Sequence, residues 1–203
     1  MKRFIQILLV CLLVTCISAC GKKQEAKEEV KEETTETENT AVSAEPIKVR
    51  MTIRDYGTVD LELYPDVAPL TVENFVKLVN DGFYDDNRFH RIIDGFMIQG
   101  GMDKSRSVPS IKGEFASNGF ENNLKHTEGV ISMARAQDKD SASSQFFIMV
   151  GNGDWLDGEY AAFGKVIEGL DVVKKIAADA RPTDNNGSIK EEEQPVIESI
   201  VIQ

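Results

Sequence analysis

Beyond residue 20 the chain has no cysteine; its three, Cys11, Cys16 and Cys20, all lie near the start. A globular part without thiols has neither disulfides nor cysteine nucleophiles. With only His90 and His126 it cannot assemble the three or four N/S ligands of a zinc site, so no metal and no cofactor are expected. Positive charge is scarce too: 23 basic side chains face 34 acidic ones, for a net charge of −11, and no Lys/Arg cluster occurs in the body. Nucleic-acid binding is excluded on that ground, because neutralising phosphates takes a basic patch. The GxxxxGK[ST], GxGxxG and GxSxG motifs are missing, which removes visible support for phosphate-cradling and serine-elbow chemistry. At 203 residues and 41% hydrophobic content the chain is sized for one domain, two at most.

The N-terminus is different in kind. Met1-Lys2-Arg3 is cationic, and an apolar stretch follows from Phe4 to Ile17. As a helix it would reach about 21 Å, short of the ~30 Å hydrocarbon layer, which fits a signal-peptide core better than a membrane span. Ile17-Ser18-Ala19-Cys20 resembles the bacterial lipobox, in which the cysteine receives a diacylglyceryl group before cleavage. The resemblance implies a leader over residues 1–19, lipidation at Cys20, and a cell-membrane location on the extracytoplasmic face. An ordinary cleaved signal with an incidental cysteine is the alternative. Without Lys2 and Arg3 the chain holds 21 basic against 34 acidic residues, a charge of −13. Such a body is repelled by anionic lipid, so a covalent anchor would have to hold it there. The same charge suggests a monomer.

Residues 20–46 follow as the lipidated cysteine and an acidic tether. From Gly21 to Pro46 there are four lysines, eight glutamates and no aromatic residue, too little apolar surface to offset the entropy of ordering. A flexible chain of that length reaches roughly 30 Å, enough to stand a domain off a bilayer.

At Ile47 the pattern turns to period two. Ile47, Val49, Met51 and Ile53 alternate with polar residues; after Asp55-Tyr56-Gly57 so do Val59, Leu61 and Leu63, which reads as an antiparallel hairpin. Val72, Phe75, Val76 and Val79 after Thr71 have helical spacing, stopped by Asn80-Asp81-Gly82. Short strand-like runs follow at 89–92, 96–100, 130–134, 145–150 and 161–167, then a helix at 170–178, a polar loop over 181–194 and a last strand at 196–202. Periodicity alone allows an all-β barrel or a sandwich for residues 47–203. Eight strands with strand-forming segments at both ends favour a closed eight-stranded antiparallel barrel capped by two α-helices, which would leave no exposed edge.

Four segments carry more than periodicity. Phe89-His90-Arg91-Ile92-Ile93-Asp94-Gly95-Phe96-Met97-Ile98-Gln99-Gly100-Gly101, Ser132-Met133-Ala134, Ser144-Gln145-Phe146-Phe147-Ile148 and Trp155-Leu156-Asp157-Gly158 together resemble the cyclophilin-type peptidyl-prolyl cis-trans isomerases in order and spacing. The resemblance runs from about Ile47 to Ile202. It implies a barrel with a substrate groove on its outer face and proline-containing polypeptides, exported clients here, as partners. Carried over by motif position, Arg91 is the catalytic guanidinium, with Phe96 and Gln99 grouped beside it as catalytic. Phe96, Met97, Phe147 and Leu156 line the proline pocket; Gln99 and Ala134 hold the substrate backbone; Gln145 supports Arg91 from behind; and Trp155 flanks the groove.

Two positions depart from the family pattern. Tyr160 stands where a histidine is frequent, and Arg135 where an asparagine is frequent. A phenol still packs on a proline ring and donates a hydrogen bond, so Tyr160 remains a groove residue. Trp155 implies cyclosporin binding, which Tyr160 weakens. Singly, each residue has a plainer reading: apolar side chains as core, Arg91 as a partner of Asp94, His90 and His126 as packed structural histidines. Two other functions compete with the isomerase: a holdase that captures proline segments with little turnover, and a surface adhesin or substrate-binding lipoprotein.

Overall fold

The structure, a computed structural model, describes residues 45–203. The leader, Cys20 and the tether up to residue 44 lie outside the described residues. The alternation at Ile47 becomes a hairpin: β1 (Ile47–Ile53) and β2 (Gly57–Leu63) pair antiparallel from Ile47↔Leu63 to Ile53↔Gly57. Their apolar residues Val49, Met51, Val59, Leu61 and Leu63 have no solvent exposure. Across the same ladder Arg50 opposes Asp60 and donates both Nε and Nη2 to its carboxylate, each at 2.7 Å.

The remaining elements follow as α1 (Pro69–Asn80), β3 (Asn87–Arg88), β4 (Arg91–Ile93), β5 (Met97–Gly100), β6 (Val130–Met133), β7 (Phe146–Met149), β8 (Ala162–Glu168), α2 (Leu170–Asp179) and β9 (Val196–Ile202). Among the described residues all nine strands join one sheet in the order β3-β9-β1-β2-β8-β6-β7-β5-β4, every pairing antiparallel. The first and last strands pair with each other, β1 with β9, as expected from the two ends of the domain.

The closed eight-stranded barrel is corrected: the sheet has nine strands and curls without closing its ladder. The cause is local. Residues 89–92, which read as one strand, break at Phe89 and His90. There the Phe89 N–H donates to the Pro195 carbonyl and the His90 N–H to the Gln99 carbonyl. One stretch of chain thus supplies both ends of the sheet, β3 on β9 and β4 on β5.

The start of α1 also departs from the reading of Thr71 as the residue before the helix. Pro69 occupies the first turn, where its missing N–H costs nothing, and Ala68 at the cap offers no side-chain acceptor. The acceptor comes from Glu114, 1% exposed, whose carboxylate takes the N–H groups of Leu70 (3.0 Å) and Thr71 (2.8 Å). A negative group there also complements the helix dipole. The core then fills the curl with Phe75, Tyr84, Phe146 and Phe163, ring centroids 5.0–5.6 Å apart around Phe75.

Candidate active site

On β4, β5 and β7 the two faces of the pleat do different things. Ile92, Ile98, Phe146 and Ile148 point into the main core, and Arg91, Met97, Gln99, Phe147 and Met149 take the alternate positions. Arg91 pairs across the ladder with Gln99, Gln99 with Phe147, and Met97 with both Ile93 and Met149. Residues directly opposite share a face, so the tight β4–β5 hairpin and the sequence-distant β7 form one outward row. A second apolar cluster results: Met97, Val130, Phe147, Met149, Leu156 and Ala162, with Phe96, Ala134 and Tyr160 packed against it.

A groove of about 520 Å³ opens on this cluster. Its walls include the polar Arg91, Gln99 and Arg135 and the largely apolar Phe96, Met97, Ala134, Phe147, Leu156 and Tyr160. Trp155 stands at the rim, 67% exposed, its ring 5.5 Å from that of Phe96. Phe147 is held from two directions, stacked on the His126 ring at 6.0 Å and edge-on to Tyr160 at 5.9 Å.

Arg91 is positioned by hydrogen bonds alone. Nε donates to the Asn186 carbonyl at 2.7 Å, and Nη1 to Gln99 Oε1 at 3.2 Å, with Met97 Sδ at 3.7 Å. Among the described residues no carboxylate forms an ion pair with it. Asp94, its plainer partner, instead accepts the N–H of Gly95 in its own turn. The guanidinium therefore faces an apolar slot with charge uncompensated by a neighbouring anion.

A sequence model of the cyclophilin type peptidyl-prolyl cis-trans isomerases matches residues 48–202. The chain belongs to that family. Among curated relatives, peptidyl-prolyl cis-trans isomerase A of Dickeya dadantii is 45% identical over 131 residues, 60% of this chain and 66% of the relative, just under two thirds of its length. Isomerase B of Escherichia coli is 37% identical over 156 residues, covering 73% of this chain and 95% of the relative. Among solved structures, a cyclophilin type isomerase of Cryptosporidium parvum, crystallised in the presence of the dipeptide Ala-Pro, superposes with a TM-score of 0.65 at 30% identity. It covers 77% of this chain and 98% of that one.

In this cyclophilin ten of the eleven groove residues expected from the motifs line one cavity; Gln145 does not. Its amide oxygen accepts from Gln99 Nε2 at 3.0 Å, so it stands behind Gln99 and reaches Arg91 through it, outside the groove where it had been grouped with the substrate-binding residues. Glu159 lines the groove in its stead and was not singled out by any motif.

Arg135 does not present a free charge. Its guanidinium lies over the rings of Tyr160 (4.7 Å) and Phe115 (5.1 Å), with only 11% of the side chain exposed. Its donors go to the carbonyls of Glu159, Ala136 and Gln137, and to the Glu159 carboxylate at 3.5 Å. The two departures from the family pattern thus touch each other, one charged plane braced against one phenol ring.

His126 is a packed histidine. Its Nδ1 meets Asp157 at 3.0 Å and its Nε2 meets the Ser132 hydroxyl at 3.0 Å. With the proton on Nδ1, the carboxylate accepts and the hydroxyl donates to Nε2. Burial lowers its pKa from the ordinary value, outweighing the opposite pull of Asp157, so the ring is neutral at pH 7. His90 is likewise pushed down, chiefly by burial and further by Arg91. Neither ring lines the groove, which agrees with a packing role for both.

Proposed function

We propose that this cyclophilin accelerates X–Pro rotation in exported polypeptides at the outer face of the cytoplasmic membrane, with Arg91 as the catalytic group. The observation that carries the proposal is the shared groove: Arg91 lines the same cavity of about 520 Å³ as Phe96, Met97, Phe147 and Leu156. The Cryptosporidium relative was crystallised in the presence of Ala-Pro, and proline-containing segments are the ligand proposed for this groove.

The chemistry needs no nucleophile. Rotation about an X–Pro bond breaks amide resonance at a barrier of about 20 kcal/mol. As the bond twists, the lone pair localises on the prolyl nitrogen. The apolar cluster grips the ring, while Gln99 and Ala134 hold the backbone. Arg91, permanently charged and rigidly planar, donates to the nitrogen. A donor fixed in advance for the twisted geometry lowers the barrier without tightening the planar state equally. About 5–8 kcal/mol supplied in this way corresponds to roughly 10⁴- to 10⁶-fold acceleration.

The lipobox-like Ile17-Ser18-Ala19-Cys20 supports anchoring through Cys20, with residues 21–46 as the stalk, and the net negative charge supports a monomer. Trp155 at the rim supports cyclosporin binding, and Tyr160 weakens it. NMR exchange of an Ala-Pro peptide tests the activity. The wild type speeds exchange and Arg91→Ala does so roughly 10²- to 10³-fold less; wild type that binds peptide without exchange enhancement would replace the enzyme with a holdase. Anchoring is read separately: Cys20→Ala moves the protein from the membrane to the soluble fraction.

A further inference from the structure

The loop after α2 reaches the groove only through its backbone. We infer that the turn Asp184–Ser188 is a positioning element for the reaction, aiming the Arg91 guanidinium through the carbonyl of Asn186, with Asp184 as the side chain that sets the turn.

This inference rests on the reading of Arg91 as the catalytic group. The Asn186 carbonyl takes Nε at 2.7 Å, shorter than the Gln99 bond to Nη1 at 3.2 Å. Two acceptors on different nitrogens fix both the tilt and the rotation of the plane; with Gln99 alone the plane could pivot about one bond. Asn186 itself is held by Asp184, whose Oδ1 accepts the N–H groups of Asn186 and Ser188, each at 3.0 Å. Thr183 closes the turn by donating N–H to the Ser188 carbonyl at 2.8 Å.

The turn is also locked to β4. Ile92 N–H donates to the Gly187 carbonyl (2.8 Å), Ile189 N–H to the His90 carbonyl (3.0 Å), and Arg91 and Ser188 form a bridge. Gly187 has φ +87°, where a side chain is strained, and a Cβ there would meet Ile93 Cγ1 at 2.5 Å and the Ile92 carbonyl oxygen at 2.6 Å. The turn therefore seats in one way, with its carbonyl at the guanidinium. None of its side chains lines the groove, so its effect passes through Arg91 and not through contact with peptide.

The test uses the full domain, an Ala-Pro peptide, and NMR readouts of both affinity and exchange at saturation. Asp184→Ala removes the acceptor and lowers the exchange rate about tenfold while the peptide Kd stays within twofold. Asp184→Asn keeps an oxygen that can accept both N–H groups and restores the rate. In an Arg91→Lys background, where no Nε–H faces Asn186, Asp184→Ala has no further effect. The inference is overturned if Asp184→Ala lowers affinity and rate together, if Asn does not rescue, or if the loss persists in Arg91→Lys. Gly187→Ala is the stronger perturbation, and its thermal unfolding separates a displaced turn from a destabilised domain. Wild type without exchange activity would instead remove the reading of Arg91 on which this rests.

Discussion

Phe146 and Phe147 are neighbours in sequence and opposites in role. Phe146 is wholly buried and meets Phe75, Tyr84 and Phe89 edge-on in the main core. Phe147 is nearly as buried, yet it belongs to the smaller outer cluster and forms the floor of the groove. Burial alone does not tell a core residue from a site residue here; what does is which face of the pleat is sealed by the rest of the chain. The inner face is closed by α1 and the far strands. The outer face is walled by one turn at Asp154–Leu156 and by side chains that stop short of covering it.

Several substitutions break that comparison, beginning with the largest effect. Phe146→Ala opens a sealed cavity and lowers stability by about 3–5 kcal/mol, read by chemical denaturation. Arg91→Ala leaves the unfolding midpoint nearly unchanged and cuts kcat/KM roughly 10²- to 10³-fold, the scale of a lost transition-state donor. Phe147→Ala enlarges a groove already open to water. Its stability cost falls to about 2 kcal/mol, below the range of about 3–5 kcal/mol for a sealed Phe→Ala site, while kcat/KM drops about tenfold or more through KM. Equal stability losses for Phe146→Ala and Phe147→Ala would erase the distinction between the faces.

Acid sharpens it. The pKa of His126 is held below its unfolded value by burial, so between those two values the unfolded state binds more protons. Stability from this group is complete above the unfolded value, near 6.5 for histidine, and falls as pH drops below it. Because burial opposes protonation of His126 in the folded state, thermal midpoints fall from pH 7.5 to pH 5.5, and His126→Gln flattens part of that slope. His90 adds in the same direction. The smallest effect is at the rim. Trp155→Ala removes an exposed ring and changes stability by about 0.5 kcal/mol or less, with any loss confined to peptide affinity.

Much of this was legible because alternation is local. The hairpin of β1 and β2 and the amphipathic face of α1 can both be read from spacing, whereas the outward row of β4, β5 and β7 was legible only through the motif resemblance. The break at Phe89-His90 could not, since its cause is the Pro195 and Gln99 carbonyls, both distant or across a ladder. Thr71 looks like a helix cap until Glu114, 43 residues on, supplies the acceptor. The groove was legible through side chains standing in motifs. Asn186 was invisible for a physical reason: it acts through a carbonyl, which every residue has.

The end of the sheet beside the groove has a consequence for the client binding proposed above. Extended polypeptides add readily to any strand whose outer N–H and C=O groups are free, and such additions propagate. β4, the end strand nearest the groove, already spends its outer side on the segment around Gly187 and Ile189. A client arriving with exposed backbone therefore meets pockets for its side chains but no vacant ladder beside them. On the proposed function, such a client would be gripped at a proline and let go without being stitched into the sheet.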